Sequence, residues 1–425
     1  MKIVRVFSTV MTALSVAVAS GAGFGLYEMD AKSSAMGGNV VGTPFNASAV
    51  YYNPAGLSCI TGTCVNVNCV VLHPPIPYRT WGKNCENGGG RCEPGAFVFP
   101  TAFVSQELPL DLTAGLGFYA DFGLGSEYDR SWALKYDSVE SLFEGFTVNP
   151  ALSWKIPEVE GLSIGGGLRV TYVNFETESI HDFSAFGAGS NSLRLDADNS
   201  RGLGLGFNLG ARYELTREIS LGVMYRSPLH TKVQGDATWS GGAFPLKDHS
   251  NDCESALTLP QQVTVGFNWR DFLVKDLHFG MSASYIGWSS MDRFTFDVYN
   301  PLYRTETRQE MNLSWRDTMR VGLGFEYEIT ENYEALLGYV FDKDPCSTSR
   351  GLSHTMLPAG DRHVICFGLA AHTADRRWEF AATYCPIVMQ HSCSAYADEW
   401  TDRTRYMDTT ASCTHCIVLG ATYNF

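Results

Sequence analysis

Arg201-Gly202-Leu203-Gly204-Leu205-Gly206-Phe207-Asn208-Leu209-Gly210-Ala211-Arg212-Tyr213 is the stretch that decides the fold. Leu203, Leu205, Phe207, Leu209, Ala211 and Tyr213 alternate without interruption with Gly202, Gly204, Gly206, Asn208, Gly210 and Arg212. A period of two is the signature of a strand with one apolar face. The pattern returns in Ile219, Leu221, Val223 and Tyr225, and again in Val321, Leu323, Phe325 and Tyr327. A soluble sandwich alternates too, so the period alone does not choose between them. Length does: several segments run for about 12–20 residues, well past the ~5–6 usual in globular strands. Their second face of Gly, Asn, Ser and Arg suits a wet lumen better than a packed core.

Working outward, tight links alternate with long polar loops, as in outer-membrane barrels. The breaks delimit fourteen strands, near 64–73, 97–106, 111–122, 146–156, 161–177, 201–215, 218–239, 257–270, 276–298, 311–329, 333–342, 361–373, 376–390 and 414–425. An even count returns both ends to the same side of the membrane. The last strand sets Ile417, Leu419, Ala421, Tyr423 and Phe425 on one face and stops there. A terminal aromatic on the lipid side is the feature that barrel-assembly machinery reads. The sequence therefore predicts an all-β chain, a 14-stranded antiparallel transmembrane β-barrel over 63–425. It would sit as a monomer among outer-membrane lipid and lipopolysaccharide.

The first residues read differently. Lys2 and Arg5 precede an apolar run from Val6 to Val18 and then Ala19-Ser20-Gly21. A positive start, a short apolar core and small residues make a cleaved signal peptide, 1–21. Residues 22–62 do not alternate; they are rich in Gly, Ser and Ala, with a turn at Asn53-Pro54-Ala55-Gly56-Leu57. Their apolar members (Phe24, Leu26, Tyr27, Met29, Phe45, Tyr51, Tyr52) favour a hatch, or plug, folded into the lumen over a loose leader.

Composition narrows the function. The chain has 425 residues, with 45 acidic against 31 basic, for a net charge of −14. Neutralising phosphates needs the opposite balance, so a nucleic-acid partner is excluded. A mean hydropathy of −0.08 resembles a soluble protein, but alternating faces cancel in that average. Twelve cysteines suit an oxidising compartment. Cys85 and Cys92 flank a glycine-rich loop and form the favoured disulfide. His391, Cys393, Cys413, His415 and Cys416 have the residue types of a zinc site, but exported cysteines more often pair with each other, so no metal is expected. The histidines fall mainly near strand ends or in loops, which argues against a nucleophile–histidine pair and hence against an enzyme. No cofactor is implied.

Several motifs carry a family resemblance. Ala22-Gly23-Phe24, Ser33-Ser34-Ala35-Met36-Gly37-Gly38 and Tyr52-Asn53-Pro54-Ala55-Gly56-Leu57 resemble the hatch of the FadL/TodX family, outer-membrane transporters of long-chain fatty acids and other hydrophobic compounds. Asn149-Pro150-Ala151-Leu152, Tyr225-Arg226-Ser227-Pro228, Leu259-Pro260, Trp315-Arg316-Asp317-Thr318 and Gly338-Tyr339-Val340-Phe341-Asp342 continue the likeness in order along the chain.

The resemblance implies passive uptake of a long-chain fatty acid or related hydrophobic small molecule. Capture would occur between two long loops, here carrying Phe183, Phe186, Leu193 and Leu195, then Phe244 and Leu246; packing of those loops on each other is the other reading of the same residues. A kinked third strand would open the wall sideways, and Gly115, Gly117 and Gly123 lie along that segment. Phe24, Gly25 and Leu26 would touch the ligand tail. Alternation turns Arg169, Arg212, Arg226, Arg270, Arg316 and Arg320 into the lumen, where pairing with lumen acids competes with carboxylate binding. Arg169 and Arg320, in strand interiors, are the first candidates for a carboxylate. The competing readings are a general porin and a cysteine-crosslinked structural envelope barrel or adhesin.

Overall fold

The structure, a computed structural model, describes residues 23–425 except 84–87, 136–137, 183–191, 242–248, 292, 301–304, 313–314, 347–359, 390–391, 399–402 and 410–411. Its strands are β1 (Thr63–His73), β2 (Ile76–Lys83), β3 (Gly88–Cys92), β4 (Phe97–Leu108), β5 (Leu112–Glu127), β6 (Glu140–Lys155), β7 (Leu162–Asp182) and β8 (Ser192–Glu214). Next come β9 (Ile219–Arg226), β10 (Leu229–Ser240), β11 (His249–Leu259), β12 (Gln262–Trp269), β13 (Leu277–Ile286), β14 (Arg293–Asn300), β15 (Thr305–Asn312) and β16 (Thr318–Thr330). The last six are β17 (Tyr333–Asp342), β18 (Arg362–His372), β19 (Trp378–Met389), β20 (Ser392–Asp398), β21 (Arg403–Thr409) and β22 (Ser412–Asn424).

Eighteen of these form one sheet, closed because β1 pairs antiparallel with both β4 and β22. Four consecutive pairs, β9/β10, β11/β12, β13/β14 and β15/β16, are single staves broken mid-way. Both β9 and β10, for example, run antiparallel to β8. The wall thus has fourteen traverses (18 − 4), the expected number. Closure pairs the described wall strands around the ring, the condition for a sheet to cross a bilayer, apart from a local parting of β5 from β4 beyond Phe118.

The alternation maps onto the two faces as the sequence implies. On β8, Leu203 and Leu205 are 67% and 65% exposed, whereas Asn208 and Arg212 are 0% and 5%. The outer face continues in Val98, Leu168, Leu369, Leu419 and Phe425, all exposed.

Two features depart from expectation. The segments around 74–96 and 391–412 are not simply loops: β2, β3, β20 and β21 form a second, four-stranded sheet. Beneath it Tyr128 and Trp132 stack at 3.9 Å and 2°, with Tyr78 edge-on to both. Also, β7 and β8 continue pairing through much of the predicted 178–200 loop, as far as Asp182↔Ser192.

Residues 23–62 make hydrogen bonds to strands around the circumference, which a segment can do only from within the ring. Asn39 meets β12 and β13, Asn53 meets β8, and Ala31 meets β1 and β19. Lumen glycines let the wall approach this backbone. A Cβ at Gly338 would stand 2.5 Å from the Gly37 nitrogen, and one at Gly165 would stand 2.6 Å from the Ala55 nitrogen. Because both obstacles are backbone, Gly338→Val is expected to displace the segment while the barrel still forms. Limited proteolysis of refolded protein checks this: new cleavage between residues 31 and 45 is expected, and wild-type resistance would contradict it.

Candidate functional site

The rear of the N-terminal segment is pinned by charge. Asp30 caps the short helix Ala31–Ala35, accepting from the Ser33 nitrogen at 2.9 Å. It also takes the amides of Asn46 at 3.1 Å and Asn66 at 3.0 Å. Lys32 Nζ then reaches three wall carboxylates: Glu326 at 3.0 Å, Glu334 at 2.5 Å and Glu379 at 3.2 Å. Burial alone would lower the Lys32 pKa; Glu326, Glu379 and Glu334 outweigh it and hold the ammonium charged well above the ordinary lysine value. Glu334, His372 and Glu379 bring ligand atoms within 4.8 Å of one another, a spacing a metal could use. Lys32 already bridges Glu334 and Glu379, so the group reads as an ion-pair seat.

The front of the segment lies against β5. The Leu26 nitrogen donates to the Asp121 carbonyl at 3.0 Å, and the Gly123 nitrogen donates to the Phe24 carbonyl at 3.0 Å. Here the β5–β6 register shifts between Ala120 and Phe122, a bulge centred on Asp121. Pairing of β5 with β4 stops at Phe118↔Ala102, so from Tyr119 onward the two strands part. The glycines suggested for this kink lie elsewhere: Gly115 and Gly117 are in regular pairing and back onto Val50. Gly123 is two residues past the bulge, where a Cβ would meet Leu26 Cδ1 at 2.9 Å.

Phe24, 1% exposed, is enclosed by aromatics. Ring centroids lie 4.7 Å away for Phe143, 5.0 Å for Trp288, 5.6 Å for Trp315 and 5.7 Å for Phe122. The two tryptophans come from the breaks in β13/β14 and β15/β16, where the chain leaves the wall far enough to present an indole inward. Both indole N–H groups are buried with no acceptor among the described residues. Sequence reasoning missed them; the visible signal was the loss of alternation at Gly287-Trp288-Ser289.

A cavity of about 20 Å³ adjoins this box, lined by Gly25, Leu26, Tyr27, Asp121, Arg169, Arg226, Gln262 and Trp288 among others. Arg169 is buried and ion-paired to Asp121. Arg320 lies 3.8 Å from Asp342, with its guanidinium 4.3 Å from the Tyr27 ring centre. Each of the two favoured arginines therefore has a carboxylate already. Arg226 shares Asp121 at 3.9 Å and stacks 3.7 Å from the Tyr51 ring centre. Two guanidiniums on one carboxylate leave local positive charge, and Arg226 Nε has no hydrogen-bond acceptor among the described residues. Alternation identified Arg226 as lumenal but could not show which acid it shares.

Of the suggested capture residues, Phe183, Phe186, Phe244, Leu246 and the side chain of Leu193 lie outside the described residues. Leu195 is 6% exposed on β8, opposite Ser179 and Trp239, and is not a loop residue. Cys92 is buried on β3, while Cys85 lies outside the described residues. His415 and Cys416 point to opposite faces of β22, so they do not share a ligand site. Gly161-Leu162-Ser163-Ile164-Gly165 spells G-x-S-x-G, a pattern associated with hydrolases. Yet Ser163 lies in strand β7 with its hydroxyl accepting from Ser58 at 2.8 Å, in no nucleophile turn.

Residues 12–425 match the family described as outer membrane protein transport protein (OMPP1/FadL/TodX). The chain belongs to this family. Outer membrane protein P1 of Haemophilus influenzae is similar at 25% identity over 370 residues, 76% of each chain. Among solved structures, a Pseudomonas aeruginosa FadL homologue superposes with a TM-score of 0.81 at 19% identity, covering 95% of this chain and 100% of that one. The P. putida toluene transporter TodX gives 0.72 at 16% identity, covering 93% and 98%. At these identities the superpositions establish the fold, and the family match establishes an outer-membrane transport protein.

In this FadL/TodX-family chain, Lys32→Met would strip the lysine from three buried carboxylates and leave Glu334 and Glu379 only His372, at a cost of about 3–5 kcal/mol. Hydrogen exchange of the Ala31–Ala35 amides is expected to accelerate while the β8 amides stay protected. Unchanged exchange at Ala31–Ala35 would show that the pin is dispensable.

Proposed function

We propose that the protein is a passive outer-membrane channel for hydrophobic compounds, in which residues 22–62 act as a hatch and Phe24 as its removable tip. The observation that carries this reading is the enclosure of Phe24 in an aromatic box beside the point where β5 parts from β4. Burying a phenylalanine side chain contributes roughly 1.5–3 kcal/mol. A ligand with comparable apolar surface can replace the ring in that box. The Phe24–Leu26 strip is held by hydrogen bonds alone, two to the β5 backbone and others from Tyr51 and Arg362, whereas the Lys32 ion cluster anchors the rear, so the front is the end more easily released.

On this reading the compound is captured outside, passes between the staves to the box, displaces Phe24, and leaves sideways where β5 and β4 are unpaired. Lateral exit matches the chemistry of the cargo, because an apolar molecule has no reason to enter the aqueous periplasm when lipid adjoins the gap. A filled lumen argues against a general porin. Export would use a cleaved signal peptide at 1–21, and the exposed Phe425 would serve assembly of the barrel.

Two measurements test the proposal. Deleting the gene is expected to reduce uptake of labelled oleate or of labelled toluene by whole cells; unchanged uptake of both would overturn the channel reading. Arg226 carries the uncompensated charge beside the cavity and is the residue best suited to hold a carboxylate. If the cargo is an acid, Arg226→Gln should weaken oleate binding about ten- to hundredfold, the value of a charged hydrogen bond. Toluene binding should be unaltered, and an equal loss for both ligands would assign Arg226 to the fold alone.

A further inference from the structure

Cys366, Cys385 and Cys416 lie in one row across β18, β19 and β22. Cys385 is directly opposite Cys416. On the other side, the partners Val364↔Ile387 and Phe367↔Tyr384 put Cys366 opposite Cys385, since 364 + 387 and 366 + 385 are equal. All three side chains turn inward and are at most 1% exposed. The middle thiol lies within electrostatic reach of both Cys366 and Cys416. It also approaches the Ser34 carbonyl, at 3.8 Å.

We propose that Cys366 and Cys385 are joined by a cross-strand disulfide in the exported protein, with Cys416 remaining as the adjacent thiol. Residues directly opposite on one face of an antiparallel pair hold their Cβ atoms about 4.5–5.5 Å apart, close to the separation a disulfide spans with small adjustment. An outer-membrane protein reaches its site through an oxidising compartment, where such bonds form and persist. Cys366 is favoured over Cys416 as the partner because it belongs to the same β18–β19 hairpin, with only 18 residues between the two cysteines (385 − 366 − 1), so the pair meets as soon as the hairpin forms.

The chemistry is ordinary exchange. One thiolate of the pair attacks the disulfide of an oxidising carrier, protein or small molecule, to give a mixed disulfide. The second thiolate attacks the protein-side sulfur of that mixed disulfide, forming the Cys366–Cys385 bond, breaking the bond to the carrier and releasing the carrier in its reduced, thiol form. The pair loses two protons and two electrons, and the carrier takes up both. Because the row lies under the N-terminal segment, the exchange precedes the seating of that segment.

The bond would close the hairpin on which the helix Ala31–Ala35 sits. Thr383 donates to the Ala31 carbonyl at 2.6 Å, Glu379 pairs with Lys32, and Ala35 packs on Gly368. The staple thus fixes the spacing of the strands beneath the helix.

Mass spectrometry of the whole protein settles it. Thiols are blocked with N-ethylmaleimide in intact cells and again on denaturation, without reductant, before trypsin digestion. The expected product is peptide 363–376 linked through Cys366 to Cys385 in peptide 378–403, with Cys416 alkylated. Alkylation of both Cys366 and Cys385, or a link from Cys385 to Cys416 or to any other cysteine, would overturn the proposal.

Discussion

A backbone threaded through a barrel must find partners for its N–H and C=O groups away from the strand ladders, and that requirement organises this molecule. An unpaired buried peptide group costs about as much as a lost hydrogen bond. The wall meets the demand with short amides, hydroxyls and the guanidiniums of Arg212, Arg226, Arg320 and Arg362. Asn208 donates to the Val50 carbonyl at 3.0 Å, and Arg212 donates to that of Gly42 at 2.7 Å. Thr101 donates to the Met29 carbonyl at 2.6 Å, and Ser153 to that of Ala55 at 3.0 Å. Between these donors stand glycines, because a side chain would push the threaded backbone beyond their reach. The Gly/Asn/Ser face of each stave is therefore the complement of the segment it encloses.

The same logic divides the segment into a fixed rear and a releasable front. Helix Ala31–Ala35 carries one cation into three carboxylates, and its capping Asp30 draws on two asparagines. Residues 24–26 are held by two backbone bonds to β5, by hydrogen bonds from Tyr51 to the Leu26 carbonyl and from Arg362 to the Gly25 carbonyl, and by the aromatic enclosure of one ring, with no buried ion pair. Aromatic packing is non-directional enough to be exchanged for an apolar ligand of similar size; a buried ion cluster is not, since any withdrawal strands charge. The proposed gating at the front, with the rear anchored, rests on that contrast.

Much of this was legible in the residues. Parity along Arg201–Tyr213 separated the lipid face from the lumen face, and the link pattern counted fourteen traverses. What parity cannot report is height along the barrel or the identity of a partner. Arg169 was correctly turned inward, but its pairing with Asp121 depends on a bulge that alternation does not register. The stave breaks at Ser227-Pro228 and Pro260-Gln261 carry prolines, yet the alternation was read straight through both; the meeting of Trp288 and Trp315, from breaks in two other staves, depends on strands distant in sequence. The second sheet arises from segments whose polar composition reads as loop, since β2 and β21 are joined only by tertiary pairing. Conversely, three of the twelve cysteines that sequence spacing left unexplained, Cys366, Cys385 and Cys416, fall into one row once register is known.

The central claim is that ligand frees the front of the N-terminal segment while the rear stays seated. Hydrogen–deuterium exchange of the purified protein, with and without saturating oleate or toluene, measures this directly. The account predicts faster exchange at Leu26 and Gly123, whose amides make the two bonds between residues 24–26 and β5, with no change across Ala31–Ala35. Equal exchange at Leu26 and Gly123 in the bound and free states, with binding confirmed, would contradict it.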